Sequence, residues 1–307
     1  MNPRICDDDV ALFRVLADFR LLTTKQVAYV LRRNLRAQQR RLDVLLHAGY
    51  VESYNMTGVQ RGRGRPERYF GVSKAGVEVL VRAKFLDGRL DPRLATAESV
   101  LNQSAHQHSV NTFRISLHEF THRPSEFTIR GISSNSPFAM DPATGHPITL
   151  APASRTSSDA QEPGWFIPDY VFHIHHELTG KSLLFFLESD TGSEPLSSSD
   201  PRKPNVSQKI NQYQEYFRTN GYKSHELLWG RTFNGFRLLL LCSSPARAGA
   251  VAKAVRCHHP SEFVWVSSLD QLASTGISGH IWHRGGKADG PRHSILGSLA
   301  SGLGLPS

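Results

Sequence analysis

The sequence predicts a mixed protein (α+β/α/β) in two domains, a small basic one followed by a larger one built on a mixed sheet. Three observations predict it. The first third carries successive helical apolar patterns around a short strand pair, and the remainder alternates strand-length apolar runs with helical segments. Positive charge is concentrated at one end: residues 1–95 hold 18 Lys and Arg against 10 Asp and Glu, net +8 of the chain's +9. Acids stand at the ends of two apolar runs in the second half. The length, 307 residues, also suits two domains.

The first domain is expected over 1–95. Asp7 to Ala17 places Val10, Leu12, Phe13, Leu16 and Ala17 at helical spacing. Thr23 or Thr24 then caps a second helix whose inner side is Val27, Ala28, Val30 and Leu31. A third runs from about Leu35 to Ala48, with Leu42, Leu45 and Leu46 inward, and Gly49 stops it. Its other side carries Arg36, Gln38, Gln39 and Arg40, side chains able to make bidentate contacts to base edges in a major groove. Strands at Tyr50–Tyr54 and Arg68–Val72 flank a glycine-rich tip whose Arg61, Arg63 and Arg65 would reach phosphates or the minor groove. Glycine there lets the backbone approach a duplex closely. A further helix starts at Ser73, with Val77, Val79 and Leu80 apolar. The charge and its placement point to double-stranded DNA as the partner.

The second domain is expected over 96–283. Val100 to His122 is helical, Phe127 to Arg130 a strand, and 133–164 a long loop rich in Pro, Ser, Thr and Ala. Strands follow from Ile167 and from Ser182, then a Ser- and Pro-rich loop over 191–205. Val206 to Phe217 is a helix, Phe236 to Cys242 a central strand, Pro245 to Cys257 a helix, and Phe263 to Val266 a strand. Gly279 to His283 reads as a short edge strand, and 284–307 as a flexible tail.

The acids carry the chemistry. In Leu183-Leu184-Phe185-Phe186-Leu187-Glu188-Ser189-Asp190, strand alternation puts Glu188 and Asp190 on one face. Asp169 follows Pro168 at the earlier run. A carboxylate at the end of a buried strand needs a cation, a proton or hydrogen bonds. Three such acids converging would suit Mg²⁺ or Mn²⁺ and metal-assisted phosphodiester cleavage. The plainer alternative for each is an acid held by backbone amides or an ion pair.

Other classes find little support. No apolar stretch is long enough to span a membrane, and the polar start carries no secretory pattern. Three scattered cysteines make no disulfide framework, so a reducing cytoplasm is expected. His173, His175 and His176, with Cys257, His258 and His259, fit no zinc spacing. Neither a GxxxxGK loop nor a Gly-x-Ser-x-Gly elbow is present. No heptad seam is visible.

Three resemblances sharpen these readings. "LTTKQVAYVL…RRLDVLLHAGYV…RYFGVSKAG", over about 8–85, resembles the winged helix-turn-helix. The element order after it, with Pro168-Asp169 and Glu188-Ser189-Asp190, resembles the restriction-endonuclease-like fold and its PD-(D/E)XK signature. Asp190 stands where that signature has lysine. Lys209, four residues before Tyr213 on the next helix, is the substitute the resemblance suggests. The combination with "SAHQHSVNTFRISLHEF", "IPDYVF", "FFLESDTGSE" and "KINQYQEYF", over about 8–245, resembles the replication-relaxation family of plasmids and mobile elements.

That resemblance implies a role in replication, relaxation or mobilisation, with replication or transfer proteins as partners. It makes Asp169, Glu188, Asp190 and Lys209 the candidate catalytic set of a Mg²⁺- or Mn²⁺-dependent endonuclease or nickase. It sets His106 near the acids, where the plainer alternative is a surface or capping histidine. The competing expectation is a non-catalytic accessory factor or transcriptional regulator on an inactive nuclease-like scaffold.

Overall fold

A computed structural model describes residues 3–55, 68–122, 126–134, 136–138, 166–200 and 202–297. The architecture is mixed α and β, with a three-stranded antiparallel sheet and a seven-stranded mixed sheet. The chain divides into two compact units, Met1–Ile115 with Asn135–Ile148, and Ser116–Ser134 with Thr149–Ser307. Among the described residues, no helix is long and apolar enough to cross a membrane.

In the first unit the order is α1 (Asp7–Phe19), β1 (Leu22–Thr23), α2 (Thr24–Val30), α3 (Leu35–His47), β2 (Val51–Asn55), β3 (Arg68–Val72), α4 (Lys74–Arg82) and α5 (Ser104–Ser116). Local chemistry sets the boundaries. Thr23 and Gln26 form a reciprocal capping box at α2, with Thr23 N–H donating to Gln26 Oε1 at 2.9 Å. Asn34 Oδ1 accepts from the Arg36 and Ala37 amides and starts α3. Gly49 ends it at φ +79°, a conformation that favours glycine. Leu12, Phe13, Leu16, Val27, Leu42, Leu45, Phe70 and Leu80 then close one core. Strand β3 pairs with both β1 and β2, and residues 56–67, with Arg61, Arg63 and Arg65, lie outside the described residues.

The division after Ile115 falls later than the boundary expected after residue 95. The reason is polar. Gln107 Nε2 donates to the Phe19 carbonyl at 3.2 Å, and Asn111 Nδ2 to those of Phe19 and Leu21 at 2.9 and 2.7 Å. These amides satisfy buried carbonyls at the bend after α1 and hold α5 in the first unit.

The second unit contains α6 (His118–His122), β4 (Phe127–Ser133), β5 (Tyr170–His176), β6 (Ser182–Asp190), α7 (Val206–Arg218), α8 (Ser224–Trp229), β7 (Phe236–Cys242), α9 (Pro245–Arg256), β8 (Val264–Ser268), α10 (Leu269–Thr275), β9 (Trp282–Arg284) and β10 (Arg292–His293). The sheet order is β10-β9-β8-β7-β6-β5-β4. Strands β6, β7 and β8 are parallel, and the outer pairs are antiparallel. The central strands are apolar on both faces because both are covered. Phe186 packs on Tyr213 and Phe236 on one face, while Phe185 stacks on Phe172 on the other.

The chain expected to leave the fold at residue 284 stays in it. Strand β10 pairs with β9, and Ile295 and Leu296 are buried beyond it. Two apolar side chains in a Gly- and Ser-rich stretch are enough to anchor it. Residues 298–307 and most of the 133–164 segment lie outside the described residues.

Candidate functional site

Helix α3 presents its charge in two different ways. Arg41 Nε donates to Asp9 of α1 at 2.7 Å, and Arg33, just before the helix, bonds Asp8 at 2.7 Å. Those charges hold helices together. Arg36, Gln39 and Arg40 are exposed, and among the described residues their side chains have no partner. They fall at i, i+3 and i+4, one surface of the helix. Gln38 corrects the sequence reading, because it is buried. Its phase matches Leu42 and Leu45, so it faces the core rather than solvent.

The carboxylates occupy the far end of β6. Glu188 is only 4% exposed. Its Oε1 accepts from the Tyr213 hydroxyl at 2.7 Å, and its Oε2 lies 2.8 Å from Lys209 Nζ. Both partners come from α7, one turn apart. Asp169, just before β5, accepts the Ser189 amide on Oδ2 at 2.7 Å. Antiparallel pairing of β5 with β6 brings it beside Glu188.

Asp190 shares the face of Glu188 but has a different commitment. Its Oδ1 accepts the Gly192 amide at 2.7 Å, and its Oδ2 accepts from Arg247 Nε at 3.0 Å. Arg247, on α9, also donates to the Glu194 carbonyl at 2.6 Å. Three acids therefore do not converge. The structure brings together Asp169, Glu188 and Lys209, and it sets Asp190 apart on an arginine. Among the described residues, no group of three or more His, Cys, Asp or Glu is arranged to hold a metal ion.

The electrostatics follow from burial. Burial raises the Glu188 pKa and the nearby Asp169 charge adds to that, while Lys209 and Tyr213 oppose it. Burial alone would lower the Lys209 pKa, but Glu188, Glu194 and Asp169 outweigh it and raise it. Lys209 is thus an ammonium. It can face a phosphate, and it cannot serve as a base in this state.

The sequence reading missed two participants and named a third without its role. Tyr213 appeared there only as the neighbour of Lys209, and its bond to Glu188 was not foreseen. Arg247 and the Glu194 loop carried no local signal. His106, placed near the acids by resemblance, lies on the part of α5 that belongs to the first unit.

The histidines of β5 are separately satisfied or enclosed. His175 Nδ1 lies 2.9 Å from Ser182 Oγ, and His176 bonds Thr179 and Glu126. His173 is buried against Trp229, which also packs on His225 and Phe233. Burial lowers both pKa values to about 4, for His173 with help from Arg130, Arg231 and His175. Folded, each stays neutral down to about 4, whereas the unfolded chain takes up protons below its ordinary 6.5. Stability is therefore expected to fall as pH drops through that window, by roughly 3–4 kcal/mol for the pair between about pH 7 and 5, about half from each histidine. Urea denaturation of wild type against His225→Phe checks it. The variant should show a shallower decline, and parallel curves would refute the assignment.

A family model described as replication-relaxation matches residues 13–228, more than half of the chain. No curated protein and no solved structure matches it.

Proposed function

The chain belongs to the replication-relaxation family, and from that premise we propose that it grips duplex DNA during replication, relaxation or mobilisation of a plasmid or other mobile element. The observation that carries duplex binding is the uncommitted face of α3. Arg36, Gln39 and Arg40 are solvent-facing and have no side-chain partner among the described residues, while the neighbouring Arg33 and Arg41 are neutralised. In this reading the first unit is a winged helix-turn-helix, α3 is the helix entering the major groove, and Arg61, Arg63 and Arg65 reach the flanking backbone. Replication or transfer proteins are the partners expected in the cytoplasm.

The test is fluorescence anisotropy with a labelled duplex over a range of salt. Arg36→Ala/Arg40→Ala is expected to weaken binding about tenfold or more and to reduce the log–log salt slope by roughly 1–2. Unchanged affinity and slope would remove α3 from the interface.

For the second unit we propose a restriction-endonuclease-like centre reduced to two carboxylates. Asp169 and Glu188 suit a hard cation, because the charge of one already disfavours ionisation of the other. Two carboxylates, with water and phosphate oxygens completing the shell, are an ordinary set for Mg²⁺ or Mn²⁺. Such an ion supplies an activated water and charge stabilisation at the leaving oxygen. Tyr213 orients Glu188 by its hydrogen bond. Lys209 offers a fixed positive charge to the scissile phosphate, the part played by lysine in the PD-(D/E)XK signature. Asp190 orients Arg247 instead of joining the shell.

A second reading has its own support. Both Glu188 oxygens are already engaged by Lys209 and Tyr213. A centre permanently closed in this way would be a scaffold, and the protein a DNA-binding accessory factor or transcriptional regulator.

A further inference from the structure

Lys209 stands between two carboxylates. Its Nζ lies 2.8 Å from Glu188 Oε2 and 3.6 Å from Glu194 Oε2. Glu188 is buried, whereas the Glu194 side chain is 39% exposed. Glu194 belongs to the strap that joins β6 to α7, and the strap is pinned on both sides of it. Before it, Gly192 turns at φ +87° and its amide donates to Asp190 Oδ1 at 2.7 Å. At Glu194 itself, Arg247 Nη2 donates to the carbonyl at 2.6 Å while Arg247 Nε holds Asp190 at 3.0 Å. After it, the Val206 and Ser207 amides donate to the Pro195 and Leu196 carbonyls at 3.1 and 3.0 Å. The strap therefore ends on the first turn of α7, the turn that carries Lys209. The Asp190–Arg247 pair thus has a use outside the cluster of acids: it fixes the backbone that presents Glu194.

The two-carboxylate centre proposed above contains a conflict. Lys209 occupies an oxygen of Glu188 that a cation would need, and a largely buried ammonium stripped of its partner is costly. Asp169 also acts on the Lys209 charge, but in a loaded centre Asp169 and Glu188 both face the cation. Among the described residues, Glu194 is the remaining acid that acts on the ammonium. We propose that Glu194 is a second seat for Lys209, a positioning residue that receives the ammonium when Glu188 takes up a divalent cation. Among the described residues no three His, Cys, Asp or Glu are arranged to hold a metal, so Glu194 acts on the lysine rather than as a third ligand. The inference rests on the two-carboxylate reading and supplies what the closed-scaffold reading lacks, a way for Glu188 to be released.

Calorimetric titration of Mn²⁺ into the full chain, without DNA, tests it. Glu194→Gln should weaken Mn²⁺ binding by about tenfold, while its melting temperature without metal stays at the wild-type value, because the exposed 3.6 Å contact contributes little to folding. In a Lys209→Met background the same Glu194→Gln change should alter Mn²⁺ affinity by less than about twofold, since no ammonium is left to reseat. Equal losses in the two backgrounds would make Glu194 a ligand and overturn the inference, as would wild-type affinity in Glu194→Gln. If Lys209→Met does not fold, a crystal structure of the wild-type chain with Mn²⁺ decides. Lys209 Nζ at about 3 Å from Glu194 and withdrawn from Glu188 supports the exchange, and Nζ still on Glu188 overturns it. Asp169→Asn separates the two levels. Mn²⁺ binding that this change abolishes, with no effect of Glu194→Gln, sinks the second seat alone. Absence of Asp169-dependent Mn²⁺ binding removes the two-carboxylate centre and the second seat with it.

Discussion

Supercoiled plasmid incubated with the chain and Mg²⁺ or Mn²⁺ is expected to be nicked, and Asp169→Asn to slow that reaction by about a hundredfold or more. Charge stabilisation by a bound divalent ion is worth several kcal/mol, and each 1.36 kcal/mol is about tenfold in rate. Asparagine keeps the acceptor that the Ser189 amide uses, so the loop is retained while the ligand charge is lost. Asp190→Asn is the internal control. Its carboxylate is held by Arg247 and Gly192, so the loss should stay within about tenfold if it shapes the site without joining it. Chelation of the metal should stop nicking by wild type. Equal nicking by wild type and Asp169→Asn would mean the reaction is elsewhere. A wild-type chain that binds duplex yet never nicks would leave the accessory reading in force.

What could be read without coordinates depended on the range of the physics. The helices of the first unit end where capping chemistry dictates, because Thr23, Asn34, Ser73 and Gly49 act within a few residues of themselves. The Glu188–Lys209–Tyr213 group was legible only in part. Period-two alternation places Glu188 on one face of β6, while Lys209 was singled out by resemblance and neither it nor Tyr213 was expected to bond that acid. The Asp190–Arg247 pair was not legible, since 57 residues separate its members and nothing in α9 distinguishes that arginine from others. Gln38 was misread because a polar residue on a basic helix invites an outward placement, yet helical phase puts it with Leu42. The α5 assignment failed differently. Polar Gln107 and Asn111 look like surface residues until the carbonyls of Phe19 and Leu21 are brought to them by the fold.

Removing the ammonium at position 209 is expected to destabilise the second unit more than it disturbs any surface contact. Lys209→Met should lower unfolding free energy by about 2–4 kcal/mol near neutral pH, because it leaves the Glu188 carboxylate buried beside the like charge of Asp169 with the Tyr213 hydroxyl as its remaining donor. The low end reflects partial solvent access at Lys209, whose side chain is 26% exposed. Glu188→Gln in the same chain should recover most of the loss, since the amide carries no charge to desolvate and can still accept from Tyr213. The pH dependence has a definite sign. Without Lys209, burial holds the Glu188 pKa above its unfolded value of about 4.5, so the folded state keeps a proton that the unfolded state releases. The deficit of the single variant therefore grows as pH rises from about 5 to about 8, and the double variant lacks that slope. Urea denaturation of wild type, single and double variants at those two pH values measures all of it. A single-variant loss below about 1 kcal/mol, or one independent of pH, would mean that Glu188 reaches water and that the buried pair is not what fixes α7 against β6.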